Sequence, residues 1–117
     1  MTLNDALCLP ELALTVGTEP KTVLGWLSEL DGMILCQFPN LGSQNLPYTE
    51  QTDPQTPLLV PFPHDALYSR YLLAKNALSL GEYDRYNRHI TEYNLLFTAF
   101  SNFLNRQTAS PPSRFRF

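Results

Sequence analysis

The sequence has little charge: Asp, Glu, Lys and Arg make up 16% of 117 residues, against ~25% in an average soluble domain. Aromatic residues reach 12%, so part of the surface is expected to be covered by something else, with self-association the simplest cover. Cysteine is scarce as well. Cys8 and Cys36 form no Cys-x-x-Cys pair and have no histidine at zinc-finger spacing, which excludes a disulfide framework and reads both as small apolar core residues. The two histidines, His64 and His89, lack an Asp, Glu or Cys partner at ligand spacing and read as helix-start or surface residues. No run approaches the ~18 apolar residues of a membrane span, and the Met-Thr-Leu-Asn-Asp start has no basic region before an apolar stretch. No membrane contact and no secretory signal are expected, and synthesis in a reducing cytoplasm follows. There is no P-loop, Gly-x-Gly-x-x-Gly, Gly-x-Ser-x-Gly or His-Glu-x-x-His. Enzymatic readings thereby lose their support, and neither a cofactor nor a catalytic residue is expected.

A chain of this length predicts one domain over residues 1–117, burying roughly 65% of its unfolded surface. Its charges are split. Residues 1–65 carry eight acids and one base, −7, whereas residues 66–117 carry three acids and seven bases, +4. The acidic part can fold against the basic part, or copies can meet head to tail, the contact that closes into rings.

Pro10 can open a short helix over Glu11–Val16 but would break one running through it. Thr18 offers an N-cap, and apolar residues at 23, 24, 27, 30, 34 and 38 recur at helical spacing, so a helix is expected from about Pro20 to Gln37. Asp31-Gly32 is its weak point, because that pair can equally form a turn that makes Met33–Phe38 a strand. Trp26, Leu27 and Leu30 are its candidate core residues. Six of the ten prolines then fall within residues 38–63, a density that forbids regular helix. This Pro-rich loop ends in Leu58-Leu59-Val60-Pro61-Phe62-Pro63, too apolar to leave in water. It should lie extended across the chain's own helices or a neighbour's, and Leu58, Leu59, Val60 and Phe62 are candidate interface residues.

From His64 to Leu80, Leu67, Tyr71, Ala74 and Leu78 step at helical spacing, with Gly81 as the stop. From Glu82 to Gln107, Tyr83, Tyr86, Ile90, Tyr93, Phe97, Phe100 and Leu104 step alternately by three and four, an a/d seam. The expected class is all-α: an antiparallel αα-hairpin packed on an N-terminal helix, with a long Pro-rich loop and an extended C-terminal arm. Tyr71, Tyr86, Ile90, Tyr93, Phe97 and Phe100 complete the predicted core. Leu96 and Phe103 widen the apolar face beyond one partner helix, leaving them to the N-terminal helix or to a neighbouring subunit. Glu82 and Asp84 suit an exposed first helical turn, where acids favour the dipole, and Asp84 with Arg88 reads as a solvated face. The arm, residues 108–117, ends in Arg114-Phe115-Arg116-Phe117, whose alternation suits docking on a partner. Arg70, Lys75, Arg85 and Arg88 leave room for weak, non-specific contact with DNA, although pI ≈ 5.2 is far below that of a dedicated binder.

Three stretches resemble a known family. Trp26-Leu27-Ser28-Glu29-Leu30-Asp31-Gly32, then Thr56-Pro57-Leu58-Leu59-Val60-Pro61-Phe62-Pro63 running into Leu67-Tyr68, then Gly81-Glu82-Tyr83-Asp84-Arg85-Tyr86-Asn87 with Tyr93-Asn94, are similar to small tailed-phage and prophage proteins encoded beside the portal and capsid genes, the head–tail connector or neck proteins. The similarity covers about residues 20 to 106, and the Glu-Tyr-x-Arg-Tyr-Asn run is its most specific element. The resemblance implies a structural virion protein, made in the host bacterial cytoplasm. It further implies a helical subunit assembling as a ring beneath the portal, twelve-fold if it is a portal adaptor, that joins head to tail. Its partners would be other copies, the portal protein, another neck or tail protein, and DNA in the channel through non-specific contact. The residues 44–57 and the Arg-Phe-Arg-Phe end depart from that pattern. A different class also fits the residues: a monomeric or dimeric helical adaptor or regulator of a prophage, binding one partner through the aromatic face. If the arm carries assembly, deleting Ser110–Phe117 leaves folding intact and weakens oligomerisation; unchanged oligomerisation of the truncated chain removes the arm from the mechanism.

Overall fold

The computed structural model describes residues 1–8, 19–41 and 46–108. The expected helix over 11–16, the Thr18 cap and the C-terminal arm with Arg114, Phe115, Arg116 and Phe117 lie outside the described residues. Within them are four α-helices and no strand: α1, Leu3–Leu7; α2, Pro20–Gln37; α3, Ala66–Ser79; and α4, Tyr83–Thr108. A single 3-10 turn, Pro39–Leu41, follows α2.

Helix α1 is too short to show a hydrophobic period, which is why the spacing of apolar residues does not announce it. It is held by its cap: Thr2 Oγ1 accepts from the Asp5 amide at 3.3 Å and Asp5 Oδ2 accepts from the Thr2 amide at 3.0 Å. The Thr2 amide first, and then the Thr2 hydroxyl, hold the Asp5 carboxyl below its usual range. Leu3 and Ala6 are buried, while Leu3 and Asn4 donate their amides to the carbonyls of Thr56 and Pro54, both at 2.9 Å. The chain start is thereby tied to the end of the Pro-rich segment.

Pro20 begins α2 at a position where a missing amide hydrogen costs nothing. The helix runs through Asp31-Gly32, so the alternative turn and strand do not form. Its buried stripe is Val23, Leu24, Leu27, Leu30, Asp31 and Ile34, with Trp26 half-buried beside it. Phe38 leaves the helical region because Pro39 follows it. Cys36 points off this stripe and is exposed, as is Cys8 just beyond α1, correcting the expectation that both are core residues.

Eight of the 14 residues of α3 are buried, including Leu67, Tyr68, Tyr71, Leu72 and Leu73, the pattern of a helix covered on most sides. Leu78, expected on the core face, is 42% exposed at the last turn, where Asn76 and Ala77 take the inside. Gly81 then adopts φ 75°, a conformation that favours glycine. Its amide donates to Leu78 and that of Glu82 to Ala77, at 3.1 and 2.9 Å, which satisfies the last carbonyls and reverses the chain.

Helices α3 and α4 meet along their length, with partners running in opposite chain order: Tyr71 lies 5.2 Å from Tyr93, and the ring of His64, just before α3, lies 5.4 Å from Phe100 and 4.8 Å from Phe103. The end of α2 joins them through Phe38, 6.4 Å edge-on to Phe100. The buried face of α4 is rotated from the expected seam. Its buried residues are His89, Phe100 and Leu104, with Tyr93, Leu96, Phe97 and Phe103 half-buried against the core. Tyr83 is 65% exposed, and Tyr86 and Ile90 are half-buried. The C-terminal half of α2 and Phe38 lie against α4 from Tyr93 to Phe100, beyond its first turns. His89, expected on the surface, takes the inward position there. Phe100→Ala should accordingly cost about 3–5 kcal/mol in chemical denaturation, with Phe97→Ala costing less in proportion to the smaller area it buries. Equal losses at the two positions would reject this rotation.

Candidate functional site

The predicted interface residues do not share one environment. Leu58 and Val60 are 6% and 0% exposed and belong to the chain's own core, which corrects their assignment to an interface. Leu59 is half-buried against the same core. The cause is polar as well as apolar. Asp31 is fully buried in the apolar stripe of α2, where its Oδ1 accepts from Tyr68 Oη and its Oδ2 from Tyr48 Oη, each at 2.6 Å. The Leu59 amide donates to Asp31 Oδ2 at 3.3 Å, and the Val60 amide to Tyr68 Oη at 2.8 Å. Segment 58–60 is therefore held by a carboxylate and a phenol that would themselves be costly to bury without it.

Burial is the largest influence on Asp31 and pushes its carboxyl above the usual range, while the bonds from Tyr48, Tyr68 and Leu59 work the other way. Desolvation and the adjoining Asp31 carboxylate push the Tyr68 hydroxyl up, so it stays a proton donor at any ordinary pH. A second bridge lies nearer the surface. Tyr71 Oη donates to Glu29 Oε1 at 2.6 Å, and Lys75 Nζ sits 3.3 Å from the same oxygen. The Tyr71 bond holds the Glu29 carboxyl below its usual range, and burial lifts the Tyr93 hydroxyl to about 12.

Immediately after this clamp the chain turns outward. The His64 amide donates to the Pro61 carbonyl at 3.0 Å, closing a four-residue turn with Phe62 at its second position. Phe62 is 83% exposed, although Val60 before it and Leu67 after it are both fully buried. A single exposed apolar residue is ordinary, but this one is presented by a turn fixed at both ends. Leu96 and Phe103, also predicted as interface, are half-buried against the core instead, Phe103 covered by the His64 ring. Leu95 and Tyr83, not predicted as interface, are 69% and 65% exposed on α4. For Leu95 the clue was available, since it lies off the apolar seam.

Among the described residues no group of three His, Cys, Asp or Glu could hold a metal ion, and no helix is long and apolar enough to cross a membrane. No family model, no curated protein and no solved structure matches the chain.

The clamp gives a signed pH dependence. The folded protein keeps the Asp31 proton to higher pH than the unfolded chain, so the Asp31 contribution is greatest below the aspartate range near pH 3.9 and declines as pH rises through the raised folded value. The stability difference between wild type and Asp31→Asn should therefore shrink from about pH 4 towards neutrality in urea titrations. A difference that grows with pH would reverse the sign argued here. Tyr68→Phe, which removes a donor to the carboxylate and the acceptor of the Val60 amide, should cost about 1.5–3 kcal/mol at neutral pH.

Proposed function

We propose that the chain is a non-enzymatic structural protein of a tailed-phage or prophage particle, a head–tail connector or adaptor subunit that assembles with copies of itself as a ring beneath the portal. The observation that carries this reading is the resemblance of the Gly81–Asn87 run, the Thr56–Pro63 run and the Trp26–Gly32 run to that family. Two features support it. The residues of the Glu-Tyr-x-Arg-Tyr-Asn run open α4, where Tyr83 is 65% exposed. Phe62, in the second run, stands 83% exposed on its anchored turn. Residues of that kind suit contacts between subunits, with aromatic anchors at their centre.

In this reading α3 and α4 act as one antiparallel hairpin, stiffened by Tyr71 against Tyr93 and by the Arg70–Glu92 pair at 3.2 Å. The hairpin carries the Phe62 turn towards neighbouring copies, the portal protein and a further neck or tail protein. The −7 and +4 halves give such copies complementary faces. DNA in the channel would meet Arg side chains only through non-specific contact.

Mass in solution decides between this reading and a small adaptor or regulator. Light scattering over a hundredfold range of concentration, with and without a portal protein, should give a ring-sized mass in at least one condition. Phe62→Ser should reduce that mass without altering the denaturation midpoint. A monomer in both conditions would overturn the connector reading and leave the adaptor.

A further inference from the structure

A cleft of about 550 Å³ lies between α3 and the first turns of α4 and is lined by Ala66, Arg70, Leu73, Arg85, Arg88 and His89. Its charges are arranged unequally. Arg70 Nε lies 3.2 Å from Glu92 Oε2, and Arg85 is bonded to Glu82. Among the described residues Arg88 has no carboxylate within ion-pair distance. Three guanidinium groups against two carboxylates leave one positive charge in excess.

His89 adds a second anomaly. It is only 9% exposed, and its Nδ1 is buried with no hydrogen-bond partner among the described residues, a condition that is rare in native folds. It lies on the inward face of α4, where an aliphatic side chain would pack against α3 without leaving a polar atom unmatched. The groups facing it are Arg70 from α3 and Arg85, Arg88 and Glu92 from its own helix.

We propose that this cleft is a binding site for a phosphate dianion, held by Arg70, Arg85 and Arg88 and by His89 in its protonated form. Arginine suits the oxyanion because its fork of donors matches phosphate oxygens. The excess charge of the empty cleft is one, and a proton on His89 makes it two, equal and opposite to the ligand. Burial first, and then Arg70, Arg88 and Arg85, hold the imidazole below its ordinary range, with Glu92 acting the other way. A dianion among those arginines reverses their effect, so binding takes up a proton. The site does not depend on assembly, and it holds whether the chain is a ring subunit or an adaptor.

The test uses the full chain. The imidazole resonances of His89 and His64 are followed by NMR from about pH 5 to 8 in inorganic phosphate and in sodium chloride of matched ionic strength. Phosphate should raise the titration midpoint of His89 and leave that of His64 where chloride leaves it. In Arg88→Gln, an exposed substitution that does not threaten the fold, the phosphate needed for the same displacement should rise roughly tenfold or more. Lys75→Gln, outside the cleft, should match wild type. Identical His89 midpoints in the two salts would overturn the site, as would an unchanged response of Arg88→Gln or an equal loss in Lys75→Gln. A short DNA duplex forms the last arm: displacement of His89 by duplex but not by inorganic phosphate would replace the dianion site with backbone contact.

Discussion

The carboxylate of Asp31 is the constraint on which the rest of the fold depends. It sits at a core position of α2 with no exposure, and three donors from distant parts of the chain converge on it: Tyr48 and the Leu59 amide from the Pro-rich segment, and Tyr68 from α3. A buried carboxylate without such partners would be strongly destabilising. An arrangement that buries Asp31 must therefore bring donors to α2, and in this fold these three do so. Once they are there, the Pro-rich segment is fixed between two helices, Leu58 and Val60 face inward, and α3 is docked on α2 in a single register.

That constraint explains how the segment 46–63, with five prolines in it, is held without regular secondary structure. Its backbone has few ladder partners, so its polar groups are met one at a time: by the Asp31 carboxylate, by the Tyr68 phenol, and by the start of the chain through Leu3, Asn4 and the Leu58 amide on Met1. The exposure of Phe62 follows from the same arrangement. Because the clamp ends at Val60 and α3 begins at Ala66, the residues between them must reverse direction in a short space, and Phe62 is the one carried to the outside. The candidate contact point of the molecule is thus a by-product of how its buried charge is satisfied.

Much of the helical framework was legible. The spacing of apolar residues placed α2 at Pro20–Gln37 and located α3 and α4 to within a few residues, since amphipathic period, Pro at a helix start and Gly at a helix end act locally. Environments were less legible. Periodicity ranked Tyr83, Tyr86 and Ile90 with Phe100 because all are apolar, yet the end of α2 covers only the later turns of α4, and His89 takes the inward place in the earlier ones. Asp31 was read as half of a turn signal. Paired with Gly32 it offered a turn as the alternative to a continuous helix, and nothing within several residues of it reveals that two phenols and an amide will arrive from 17 or more residues away.

The sequence by itself determined the three longer helices, where they stop, and that the stretch between α2 and α3 could be neither regular helix nor free in water. Those properties depend on the covalent restrictions of proline and glycine and on the spacing of apolar side chains along one helix. Tertiary structure alone decided which side of that stretch is inside, which face of α4 is buried, and that Cys8 and Cys36 stay at the surface while His89 and Asp31 do not. Each of those outcomes depends on what approaches from a distant part of the chain. A polar side chain is tolerated inside where such a neighbour supplies its partners, and a small apolar one is left outside where no neighbour arrives.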